Sequence, residues 1–193
     1  NHSCFGNPVI KTPNIDALKK ESLLLTRYHS SARCSPSRAK LLSGRHEFLG
    51  GVTHTIQGRE RLSLDTITLP QALKTAGYAT GMFGKWHLGD SYPHRPQDRG
   101  FQETLHHPAW GITSLADRFG NTYWDPWLKH NGEEKRYKGY CTDIFFHEAM
   151  GWMKKQKEAD KPFFLYLPTN TPHVPNWVDE EYSKPYADVG IYN

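Results

Sequence analysis

The chain has 193 residues, 37% of them hydrophobic, 13% aromatic and 23% charged, a balance that fits a folded globular protein and excludes a disordered one. It contains no run approaching the roughly 18 to 20 consecutive apolar residues of a membrane-crossing helix. The formal net charge is +4, but the Lys and Arg residues are scattered rather than clustered, which disfavours a nucleic-acid footprint.

Gly6-Asn7-Pro8 reads as a turn, and Thr12-Pro13 supplies a cap and a first-turn proline for a helix along which Ile15, Leu18 and Leu25 recur near helical spacing. The apolar run Leu23 to Tyr28 predicts a buried strand. Residues 30–35 form a loop. Pro36 then opens a helix carrying Ala39, Leu41 and Leu42, and Gly44 stops it. A long connection over 50–64 precedes a helix over 68–75, a Gly77 stop and a strand over 78–83. Residues 84–139 are rich in Gly, Pro, His and Trp without a sustained period, and read as loops and short elements covering one face. Thr142 to Lys157 is amphipathic, with Phe145, Ala149, Trp152 and Met153 on one stripe and lysines at its C-terminal end. Phe163 to Leu167 is apolar throughout and of strand length. Helices alternating with short apolar strands predict an α/β fold, with a mostly parallel central sheet flanked by helices.

Cys4, Cys34 and Cys141 are an odd set without a C-x-x-C pair, which argues against a zinc site and a disulfide framework. A Cys4–Cys141 bridge and three reduced thiols both remain open. The most informative segment is Cys34-Ser35-Pro36-Ser37-Arg38, followed by Leu42-Ser43-Gly44-Arg45. With a helix starting around Pro36, Cys34 and Arg38 share its N-terminal end, where free N–H groups and the macrodipole favour a tetrahedral oxyanion. A structural cysteine beside a helix cap is the bland alternative.

Cys-x-Pro-Ser-Arg with Leu-Ser-Gly-Arg resembles the signature of the sulfatase family, whose cysteine is oxidised to formylglycine, within the alkaline phosphatase superfamily. Gly84-Lys85-Trp86-His87-Leu88-Gly89 resembles that family's second signature. Gly6-Asn7-Pro8 with Thr12-Pro13-Asn14-Ile15-Asp16, and Thr171-Pro172-His173-Val174-Pro175, resemble its early helix and its later Pro-His-x-Pro loop. The resemblance implies hydrolysis of sulfate esters, of the arylsulfatase or carbohydrate sulfatase kind. Cys34, as formylglycine, would be both nucleophile and metal ligand, and Arg38 would stabilise it. Lys85 would hold a sulfate oxygen, His87 would assist collapse of the geminal diol, and His173 would protonate the leaving oxygen. A hydrated aldehyde suits this chemistry, since one hydroxyl attacks sulfur and the other expels sulfate as the carbonyl reforms.

The resemblance further implies calcium or another divalent cation, a formylglycine-generating enzyme as maturation partner, a sulfated small molecule or carbohydrate as substrate, no nucleic acid or membrane partner, and an exported location. The family's Asp-Asp and Asp-Asn metal ligands and a further lysine do not appear in this sequence, and Asp16 and Asp179 stand in the wrong contexts to replace them. The chain is therefore expected to be part of one N-terminal catalytic domain, lacking its first strand and C-terminal portion, and inactive alone. A phosphonate or phosphate ester hydrolase of the same superfamily, and an inactive binding protein retaining a thiol at Cys34, are the competing expectations. Asp90, His94, His106 and His107 are weaker pocket candidates, and Trp110, Trp124 and Trp127 are expected to cover the core more than to stack on a sugar.

Overall fold

A computed structural model describes residues 2–189, which divide into two compact units, 2–30 with 179–189 and 31–178. In the smaller unit, α1 (Pro13–Lys20) begins behind Thr12 as its sequence predicts. Asp16 anchors this corner by accepting from Ser3 Oγ at 2.6 Å, Cys4 N at 3.0 Å and Thr12 Oγ1 at 2.9 Å. These bonds hold its carboxyl below the usual range. The strand expected over 23–28 does not form, and Leu23, Leu25 and Tyr28 are exposed. An apolar run becomes a strand only where a neighbour takes its backbone hydrogen bonds, and this one has no ladder partner among the described residues.

The larger unit is built on a five-stranded sheet. Its strands are β1 (Ala79–Lys85), β2 (Glu103–His107), β3 (Trp127–His130), β4 (Glu133–Arg136) and β5 (Phe163–Tyr166), in the order β4-β3-β2-β1-β5. β1 runs parallel to both β2 and β5, whereas β3 and β4 form an antiparallel hairpin at one edge. The expected parallel centre is present, and the hairpin makes the sheet mixed. β2 went unseen in the sequence because Glu103-Thr104-Leu105-His106-His107 shows neither alternation nor an apolar run, although four of its five positions are buried.

Three helices flank the sheet, α2 (Cys34–Ser43), α3 (Leu69–Thr75) and α4 (Cys141–Glu158). The remaining short helix, α5 (Glu180–Ser183), belongs to the smaller unit. Thr68 and Gln71 close a capping box at the start of α3. On one face, Phe145 and Ala149 of α4 pack against Phe83 and Leu105 of the sheet. On the other, Ala39 and Leu42 of α2 meet Met82, Trp86 and Phe101. This second core presses the start of α2 against the carboxyl end of β1, where the sequence motifs meet. All three cysteines are free thiols, and burial pushes the Cys141 thiol up.

Candidate active site

α2 begins at Cys34, two residues before the expected Pro36, because Arg33 is extended (φ −132°, ψ 159°) and serves as the N-cap without a capping side chain. Its first N–H groups are therefore not taken by a cap. Gly44, with φ 65°, ends the helix by donating its N–H to Lys40 O at 2.8 Å, as its position in the sequence predicts. Arg38, one turn after Cys34, donates from Nη1 to Lys85 O and to the Tyr166 hydroxyl at 3.2 Å. Its guanidinium thus clamps the end of β1 to β5, while its charge stays beside residue 34 and Lys85.

β1 runs two residues beyond its expected end, which carries Lys85 into the sheet as its last residue. Lys85 is 2% exposed, the reverse of a solvated surface lysine. Burial pulls its ammonium down to about 8, the charge interaction with Cys34 opposes that pull, and the Arg38 guanidinium adds to it. His87 follows in the left-handed region (φ 59°) and is also buried. Its Nε2–H donates to Thr55 O at 2.8 Å, which leaves Nδ1 as a buried acceptor with no partner. Burial first, then the charge of Lys85, push the imidazole down to about 3. His87 is therefore neutral, with an unpaired lone pair.

Cys34, His87 and His173 line one cavity of about 470 Å³, together with Thr55, Ile56 and Trp110, and exposed Arg33 lies at its rim. His173 Nδ1 donates to Val174 O at 2.8 Å, so Nε2 is the ring atom left for chemistry. Among the described residues no carboxylate lines the cavity. Its buried and rim charges are cationic, which suits a tetrahedral anion and does not supply the oxygen shell of a hard divalent cation.

The five residues singled out from the motifs are thus brought together at the carboxyl end of β1. The weaker candidates are not. His94 Nδ1 donates to Leu62 O at 3.0 Å, and Asp90 receives Ala109 N. His106 and His107 are buried within the sheet, where desolvation pulls them down to about 4 and about 3. Trp127 faces Arg118 at 4.2 Å, and Trp124 lies near Tyr140. Trp110 reverses the core expectation by forming cavity wall. Sequence reasoning missed Thr55, Ile56 and Tyr166, which carry no local signal because only the tertiary fold brings them here.

A parallel-centred α/β sheet thus gathers a cysteine, a lysine and two histidines near the carboxyl end of β1, the place where open α/β sheets bind ligands. The family model for sulfatases matches residues 1–192, and the chain belongs to that family. It is 33% identical over 207 residues to an uncharacterized sulfatase of Schizosaccharomyces pombe, covering 95% of this chain and 37% of that protein. It is also 32% identical to the N-acetylglucosamine-6-O-sulfatase of Bacteroides thetaiotaomicron, covering 99% of this chain and 30% of that one. Among solved structures, a protein in complex with its substrate D-glucosamine-2-N,6-O-disulfate superposes with a TM-score of 0.79 at 26% identity, over 99% of this chain and 35% of the other. The chain therefore spans about a third of the length of the curated relatives it matches. The open sheet with helices on its faces is the part of the fold that this superposition covers.

Proposed function

We propose that these residues carry the nucleophile and anion-binding half of a sulfate ester hydrolase, as part of a single catalytic domain. The observation that carries this reading is the meeting of Cys34, His87 and His173 in one cavity, with the buried Lys85 ammonium close enough to the Cys34 side chain to feel its charge. Coverage of only about a third of the relatives supports placing the remaining catalytic groups on other segments of the full-length protein.

Residue 34 sits at the first position of α2, half-buried and lining the cavity, which supports its conversion to a formylglycine side chain open to substrate. When hydrated, that group supplies one hydroxyl to attack sulfur and a second whose deprotonation releases sulfate. Lys85 offsets charge on the transferring group from a site with little water, where a fixed cation is worth more than in solvent. Arg38 keeps Lys85 and residue 34 in register through the Lys85 carbonyl. His87 offers Nδ1 as acceptor to a hydroxyl on residue 34, with its tautomer fixed by Thr55. His173, which lines the same cavity, holds the proton for the leaving alkoxide.

Calcium, expected from the resemblance, finds no carboxylate among the described residues that line the cavity, so no step is assigned to it. Sulfated carbohydrates are the favoured substrates because the matched relatives and structures include enzymes of that kind. An exported location and a formylglycine-generating maturation enzyme complete the reading. Initial rates of the full-length protein on matched aryl sulfate and aryl phosphate esters test it. Preference for the sulfate is expected; preference for the phosphate contradicts it.

A further inference from the structure

The cavity lining is chemically mixed: Cys34, Thr55, His87 and His173 supply polar groups, and Ile56 and Trp110 supply apolar surface. Trp110 is half-buried, and its ring lies 6.5 Å from that of His87 at 55°. A tryptophan that leaves part of its surface open to a cleft beside the reacting groups presents an apolar plane to whatever enters.

Its position depends on an unusual support. Trp110 follows Ala109, an L-residue in the left-handed region (φ 46°), in the loop leaving β2. Asp90, just beyond the second signature, turns both carboxylate oxygens to Ala109 N, each at 3.0 Å. Burial raises the Asp90 carboxyl, so its placement here is unfavourable in itself and is offset by this backbone donor. A partly buried carboxylate spanning 19 residues of sequence to hold one strained peptide N–H fixes the residue that comes next.

We propose that Trp110 is a specificity-determining platform for the ring that carries the sulfate group, and that Asp90 is the positioning residue that holds it. This rests on the sulfate ester reading. A volume of about 470 Å³ accommodates a single ring with its sulfate rather than a long buried oligomer. The ligand chemistry is a six-membered ring with an apolar face, a feature shared by a pyranose and a phenol.

Full-length protein carrying Trp110→Ala, Trp110→Phe, Asp90→Ala, Asp90→Asn or the Trp110→Ala/Asp90→Ala pair would be assayed on 4-nitrophenyl sulfate and on a monosulfated hexosamine, with inorganic sulfate as a competitive probe. Trp110→Ala should raise KM about tenfold on at least one of the two esters, with kcat changed less than about threefold and inhibition by inorganic sulfate unchanged. The ester with the larger rise identifies the ring. Trp110→Phe should retain most of the affinity. Asp90→Ala should reproduce the KM defect, Asp90→Asn should largely restore it because its amide oxygen still accepts from Ala109, and the pair should be no worse than Trp110→Ala. Unchanged KM on both esters in Trp110→Ala, or weaker inhibition by sulfate in parallel with a raised KM, overturns the proposal. Additive defects in the pair would overturn the role of Asp90. If the unsubstituted protein hydrolyses neither ester, it is the sulfate ester reading that fails.

Discussion

Two histidines of the same sheet unit have opposite surroundings. His130, on β3, is fully partnered: Nε2 donates to Glu103 Oε1 at 2.6 Å, and the Tyr137 hydroxyl donates to Nδ1 at 2.6 Å. His87, just after β1, has one partner and a buried lone pair facing a cavity, beside a buried lysine held far below its ordinary pKa. The first arrangement minimises its own free energy. The second leaves polar groups under-satisfied at a cost of a few kcal/mol, which is what a site awaiting an anion looks like. Neither burial nor a missing partner by itself marks the candidate functional histidine, since His106 and His107 are as buried as His87 and each also leaves Nε2 unpaired; His87 differs in lining the cavity.

The comparison can be broken most directly at residue 34. Cys34→Ala in the full-length protein should lower kcat/KM on an aryl sulfate by at least about a thousandfold, with a thermal midpoint within a few degrees of the unsubstituted protein. At Lys85 the two properties should separate with opposite signs. Lys85→Met should lower kcat/KM by about a hundredfold. It should also stabilise the fold, on the order of 2 kcal/mol at neutral pH, since it removes a buried cation. Chemical denaturation and steady-state rates report both. At His130 the pattern should invert. His130→Ala should destabilise by about 1 kcal/mol, because the pair is partly exposed, while leaving kcat/KM within about twofold.

The smallest expected effect is one of pH. Lys85 near 8 loses its proton as pH rises through that value, so kcat/KM should fall on an alkaline limb with an apparent pKa near 8. Stability should move the other way. Between about 8 and the model-peptide value of 10.5 the unfolded chain binds more protons at this lysine than the folded one, so this contribution to unfolding free energy rises with pH. The buried imidazoles of His106 and His107 act at the acid end. Their folded values of about 4 and about 3 lie below the usual 6.5, so stability present above 6.5 should be lost as pH falls toward 4. A denaturation series from pH 4 to pH 10 reads both trends, and a flat profile would contradict them.

How much the sequence reveals follows the range of the interactions involved. Cys34, Arg38, Lys85 and His87 sit in two short motifs, and it is the family resemblance of those motifs that makes their grouping readable before any fold is known; local spacing gives only the approximate helix start and strand end. The helices α3 and α4 are equally local, set by the Thr68 capping box and by the Phe145-Ala149 stripe. Tyr166, Ile56 and Trp110 join the site only through contacts across the fold, and Trp110 depends on a bond between Asp90 and Ala109 that no periodicity announces. β2 is hidden for a related reason: its histidines are buried by neighbouring elements rather than by their own hydrophobicity. The missing strand over 23–28 errs in the opposite direction, since hydrophobicity alone cannot provide a hydrogen-bonding neighbour.

Mass analysis of the peptide containing residue 34, taken from the full-length protein purified from its native source, bears most directly on the whole account. Replacement of sulfur by a carbonyl oxygen at that position is the predicted result. An intact thiol in a preparation that still hydrolyses sulfate esters at full rate would contradict it.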